Sequence, residues 1–133
     1  MNLDAGAAGI LAPYCENKEE VEEMIGAIKW KPLKGKSLED VVKNNKFPSD
    51  KSKQYLQDLN ANNICVIGIE SVPAIENLDS ILSVPGIDAI FVGPNDLSVS
   101  LGIPNEYDNK IYEEALEEII KKSNAKNIPT MIH

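Results

Sequence analysis

At 133 residues, with 43% hydrophobic and 26% charged residues, the chain has the size and make-up of one ordinary globular domain, which argues against disordered, collagen-like and membrane-spanning classes. Its formal net charge of -8 argues against an electrostatic grip on nucleic acid, which needs a basic surface, and favours cations and neutral ligands. The expectation is one domain over residues 1–133, with neither a membrane nor a nucleic acid as partner.

In chain order, "MNLDAGAAG" reads as the tail of a helix ending at Gly6 or Gly9, so the chain looks cut. No basic region with an apolar stretch marks a secretory signal, which makes the cytoplasm the expected compartment. A short apolar strand, "ILAPY", follows. In "ENKEEVEEMIGAIKW" Asn17 stands three residues before Glu20, an Asx variant of the capping box, and Val21, Met24, Ile25 and Ile28 recur at helical spacing. Pro32 and Gly35 then break the pattern. Ser37 with Asp40 opens a short helix "LEDVVKN", and "PSDKSKQYLQDLNAN" supplies another, so residues 37–61 read as an excursion of short helices.

"NICVIGI" is a buried strand by its β-branched content. "VPAIENLDSILSV" is a helix with Ile75, Leu78 and Ile81 or Leu82 inward, and "IDAIFVG" is a second buried strand. After an expected loop "PNDLSVSLGIPNEYD", the segment "NKIYEEALEEIIKKSNAKN" is the strongest helix, with Ile111, Ala115, Leu116, Ile119 and Ile120 on one face. Its acids come early and its lysines late, as the helix dipole favours. "IPTMIH" completes a last strand. Cys15 and Cys65, at the exit of one strand and the entry of the next, are expected as free thiols.

Strands separated by helices, with no hairpin signal, imply a parallel sheet. An open doubly wound sheet usually announces its nucleotide by a glycine-rich first turn, and no such motif occurs, so the closed (β/α)8 barrel is the better reading of this α/β chain. A full barrel takes about 250 residues, so four strands make half of one. There is no internal repeat.

Two strands run directly into acids, Glu70 and Asp96. At the carboxyl ends of adjacent parallel strands, about 4.8 Å apart, two such groups can reach one ion, and a dication relieves their mutual repulsion. Oxygen ligands with no cysteine or histidine beside them favour Mg²⁺ or Mn²⁺ over Zn²⁺. Alternation puts Val66, Gly68 and Glu70 on one face and Cys65, Ile67 and Ile69 on the other. The turn "GPND", Gly93 to Asp96, can aim backbone N–H groups at a small anion. A plainer reading stays open, in which Asp96 merely caps a helix before "LS".

"LDAGAAGILAPYCENKEEVEEMIGAIKWKPLKGK", "IGIESVPAIENLDSILSVPGIDAIFVGPNDLSVSLG" and the final "PTMIH" together resemble the HpcH/HpaI aldolase and citrate lyase family, metal-dependent class II pyruvate aldolases on a phosphoenolpyruvate/pyruvate-type TIM barrel. The resemblance implies that Glu70 and Asp96 coordinate a divalent ion, Mg²⁺ or Mn²⁺. It also implies that Gly93, Pro94 and Asn95 hold the carboxylate of a 2-oxo acid. The implied reaction is a retro-aldol on 2-keto-3-deoxy or 4-hydroxy-2-oxo acids, giving pyruvate and an aldehyde through a metal-stabilised enolate.

By the strand order of such enzymes the chain corresponds to strands four to seven. The family's histidine base and pyruvate-binding arginine lie on strands two and three, so no catalytic base is named here, and the isolated chain is expected to be of low activity. His133 reads as incidental. Lys29, Lys31, Lys34 and Lys36 are expected in a solvated loop, and Trp30 packed on a neighbouring helix or subunit. The alternatives are an acyl-CoA lyase, as in the citrate lyase branch, and a non-catalytic remnant that binds metal or keto acid. Family members form oligomers, and exposed sheet edges favour self-association.

Overall fold

The computed structural model describes residues 9–12 and 14–132. Four strands, β1 (Gly9–Ala12), β2 (Ile64–Ile69), β3 (Ala89–Val92) and β4 (Thr130–Ile132), form one parallel sheet in the order β1-β2-β3-β4. Sequential order matters here. A doubly wound sheet reverses its strand order at a switch point, whereas right-handed crossovers that never reverse stack every helix on one face, as in a barrel wall.

The helical layer begins with α1 (Lys18–Lys29), starting where the capping pattern predicts. Asn17 Oδ1 accepts the Glu20 N–H at 2.9 Å, and Asn17 Nδ2 donates to Glu20 Oε1 at 2.9 Å. The excursion consists of α2 (Gly35–Asn44) and α3 (Asp50–Leu59). Ser37 does not cap α2, which starts two residues earlier with Lys34 at the cap and no side-chain bond there. Ser49 does cap α3, accepting the Ser52 N–H at 3.0 Å.

The helix expected after β2 is split into α4 (Val72–Glu76) and α5 (Leu78–Leu82). Asn77 sits at the junction and sends its Nδ2 to the Glu16 carbonyl at 2.9 Å, while backbone bonds from Asn77 to Pro73 and Ile81 to Asn77 carry the helical path through the bend. The segment after β3, expected as loop, contains a short helix α6 (Pro94–Ser100). Pro94 sits in its first turn, where a missing N–H costs nothing, and the seven residues are too few to show a period.

Helix α7 (Lys110–Ala125) is rotated from its predicted face. Tyr112, Ile119 and Ser123 are buried and Leu116 half-buried, at helical spacing, whereas Ile111 is 50% exposed. The Tyr112 ring meets Tyr107 edge-on at 5.3 Å, so an aromatic anchor wins the inward position beside the isoleucine.

The core lies between sheet and helices. Cys65, Ile67 and Ile69 of β2 with Ile90 and Val92 of β3 pack against Val21, Ile25 and Ile28 of α1, Leu78 and Ile81, and Ile119. Burying each such aliphatic side chain is worth roughly 1.5–3 kcal/mol, which ties the helices to one side of the sheet. Both cysteines are free and buried. At the amino ends of the strands Asp88 clamps β3 to β2, its carboxylate accepting the Cys65 N–H at 2.7 Å and pairing with Lys29 Nζ at 2.7 Å. Lys29 is therefore no solvated loop lysine. Trp30 packs edge-on against Phe47 at 5.2 Å.

Candidate metal centre

The opposite, inner face of the sheet carries the alternate residues. Pairing of Gly68 with Phe91 and of Phe91 with Met131 puts these on one side, and Glu70 follows Gly68 two residues on, just past the end of β2. The side-chain alternation predicted for β2 is what the structure shows, with Cys65, Ile67 and Ile69 fully buried and Val66 and Glu70 half-buried.

Glu70 and Asp96 meet at the carboxyl rim. Glu70 leaves β2, and Asp96 lies in the first turn of α6, directly after β3. Gly93, not Asp96, is the N-cap residue of α6, which removes the plain capping account of Asp96. Burial first, and then the negative Asp96 beside it, push the Glu70 carboxyl above its usual value.

Gly93 explains how they come together. A Cβ there would lie 2.7 Å from Glu70 Oε1 and 2.8 Å from its Cδ, so the Glu70 side chain rests across the glycine backbone. The conformation of Gly93 is ordinary extended backbone, φ -88°. Absence of a side chain, rather than backbone freedom, is what the position demands. Among the described residues no cluster of three or more acids, cysteines or histidines is disposed to hold an ion. A pair of carboxylates still suits a hard dication that keeps coordination positions for water and substrate.

Pro94 and Asn95 open α6 beside this pair, Pro94 half-buried and Asn95 exposed. Ser98 fixes the turn, its hydroxyl donating to the Asn95 carbonyl at 2.9 Å and accepting the Asn105 N–H at 3.2 Å. His133 lies outside the described residues.

Sequence reasoning missed a second rim cluster. Ser71 Oγ donates to Glu16 Oε2 at 2.8 Å across 55 residues of chain, and also caps α4 by accepting the Ala74 N–H at 3.3 Å. Glu16 beside it raises the Tyr14 phenol above its ordinary range. No local pattern announces a contact between residues so far apart in sequence. Burial pushes the Cys15 thiol up to about 11 and the Cys65 thiol up to about 12.

The family model for HpcH/HpaI aldolase/citrate lyase matches residues 2–132. A 2-keto-3-deoxy-L-rhamnonate aldolase of Klebsiella pneumoniae subsp. pneumoniae is 32% identical over 124 residues, 92% of this chain and 46% of the relative. A 2-dehydro-3,6-dideoxy-6-sulfogluconate aldolase of Pseudomonas putida is 34% identical over 100 residues, 75% of this chain and 38% of the relative. The crystal structure of an HpcH/HpaI aldolase from Desulfitobacterium hafniense DCB-2 superposes with a TM-score of 0.75 at 29% identity, over 98% of this chain and 50% of that one. The chain thus spans about half the length of the relatives it matches, and its sheet is part of a TIM barrel. Among the described residues no helix is long and apolar enough to cross a membrane.

Proposed function

This chain belongs to the HpcH/HpaI aldolase/citrate lyase family, and from that premise we propose that it carries the ion-holding and pyruvate-holding part of a class II aldolase site. The substrates are 2-keto-3-deoxy or 4-hydroxy-2-oxo acids, cleaved to pyruvate and an aldehyde. The observation that supports this most is the convergence of Glu70 and Asp96 over a side-chain-free Gly93.

The donor set fits the ion. Two carboxylates, with no sulfur or imidazole beside them among the described residues, match Mg²⁺ or Mn²⁺ rather than a softer metal. When bound, such an ion supplies Lewis acidity toward the oxygens of a 2-oxo acid and so favours negative charge on the substrate. Glu70 and Asp96 hold it by neutralising its charge. The leading N–H groups of α6, at Asn95 and Asp96, have no partners within the helix and are free to donate to the substrate carboxylate. Gly93 leaves the space in which the Glu70 side chain lies, and Ser98 holds the Asn95 carbonyl so that the turn is preorganised. In this reading copies of the chain associate, β4 presenting Met131 and Ile132, each nearly half exposed, at the sheet edge.

Exchange of the pyruvate methyl protons for deuterium, followed by NMR with and without Mn²⁺, tests the chemistry. Mn²⁺-dependent exchange that is lost in Glu70→Gln is expected. Ion binding with no exchange would reduce the site to a binding remnant.

A further inference from the structure

The β2 and β3 ladder that brings Glu70 and Asp96 to one rim stops at Ile69 and Val92. Beyond that pair the two stretches of chain part into α4 and α6, and the sheet no longer fixes how far apart the acids stand. Gly93 gives the Glu70 side chain its place, and the fully buried Leu97 anchors α6 in the core. Neither sets how closely α6 approaches the turn that carries Glu70.

Hydrogen bonds at that turn do. Val72 is the first residue of α4, so its N–H has no partner within the helix. It donates instead to Ser100 Oγ at 2.9 Å, across 28 residues of chain. The next groups of α4 are accounted for locally, because Pro73 has no N–H and Ala74 donates to Ser71 Oγ at 3.3 Å. Ser100 lies four residues after Asp96, one turn on along the same face of α6. That face therefore offers a carboxylate at one level and holds the Glu70 turn at the next. From the β1 side the same turn is held by Glu16, whose Oε2 accepts the Ser71 hydroxyl at 2.8 Å. Glu70, Ser71 and Val72 are thus tied on both flanks, and the Ser100 tie joins them to the helix that carries Asp96.

We infer that Ser100 is a positioning residue of the ion site, its hydroxyl setting the separation of the Glu70 and Asp96 carboxylates by pinning α6 to the Val72 N–H. It acts through the two acids rather than on the ion itself, and the inference rests on the proposed sharing of one ion by that pair. A hard dication in an octahedral oxygen site, Mg²⁺ or Mn²⁺, is sensitive to where its ligands stand, so relaxation of one ligand's helix is felt as lost affinity. Because Leu97 still anchors α6 when the tie is cut, the loss should be partial. It belongs at the lower end of the roughly 10–100-fold that removal of an outer-shell partner costs.

The test is the Mn²⁺ affinity of the full chain, read by electron paramagnetic resonance, beside the melting temperature of the metal-free protein. Ser100→Ala is expected to weaken Mn²⁺ binding about tenfold, and Ser100→Thr, which keeps the acceptor, to bind as the parent does. In an Asp96→Asn background Ser100→Ala should cost nothing further, because the acid it positions is gone. A purely structural serine would lower the melting temperature of Ser100→Ala and leave its Mn²⁺ affinity alone, and that result overturns the inference. So does an equal loss with and without Asp96. Should Ser100→Ala fail to fold, Ser100→Thr and Ser100→Val, alike in shape and different in the hydroxyl, decide, since equal affinity of these two contradicts the role of the hydroxyl. Parent binding that is insensitive to Glu70→Gln and Asp96→Asn would overturn the aldolase reading and this inference with it. Binding abolished by those two changes but untouched by Ser100→Ala strikes the role of Ser100 alone.

Discussion

Glu70 is held in a place its charge disfavours. Its carboxyl is raised by burial and by Asp96, so without an ion its contribution to stability is fully present below its ordinary value of 4.5 and is lost as the pH rises through the raised folded value. Two consequences follow for Glu70→Gln. In metal-free buffer at neutral pH the variant should melt at a higher temperature than the parent, and Mn²⁺ should raise the melting temperature of the parent but not of the variant. A parent that is the more stable of the two without metal would contradict the strain assigned to Glu70. Gly93 offers a complementary test. Its substitution by alanine drives Cβ into the end of a flexible side chain rather than into backbone, so Gly93→Ala should fold with little loss of stability. Titration calorimetry should nevertheless show Mn²⁺ affinity weakened by about tenfold or more.

At the scale of elements, what could be read ahead of the structure depended on how local the cause was. The α1 boundary was legible because Asn17 and Glu20 act within one turn. Asn17→Ala should cost about 1 kcal/mol in denaturant unfolding. The face of α7 was misread at Ile111 because residues at either edge of an apolar stripe differ little in periodicity. Tyr107, outside the helix, settles the rotation through its contact with Tyr112. Ile119→Ala should therefore cost about 2–5 kcal/mol, and Ile111→Ala should stay within about 0.5 kcal/mol of the parent. Similar costs at the two positions would refute this rotation. The break at Asn77 and the helix at Pro94–Ser100 were hidden for related reasons. One depends on a bond to the distant Glu16 carbonyl, and the other is too short to repeat.

For the molecule as a whole, the sheet order without reversal is that of a barrel wall, and both acids follow the carboxyl ends of its strands. Alternation and the apolar runs were enough to predict this, since a parallel strand that ends in an acid can only present it at that rim. The Tyr14, Glu16 and Ser71 cluster and the Lys29–Asp88 clamp were not legible, because each joins chain segments that only the folded sheet brings together. The proposed chemistry requires Glu70 and Asp96 to serve one ion. A double-mutant cycle of Mn²⁺ affinity, read by electron paramagnetic resonance for the parent, Glu70→Gln, Asp96→Asn and the pair, tests it most directly. Each single change should weaken binding by more than the roughly 10–100-fold that loss of an outer-shell partner costs, and the pair should lose much less than the product of the two. Independent, multiplicative losses, or affinity unchanged in either single variant, would contradict a shared ion.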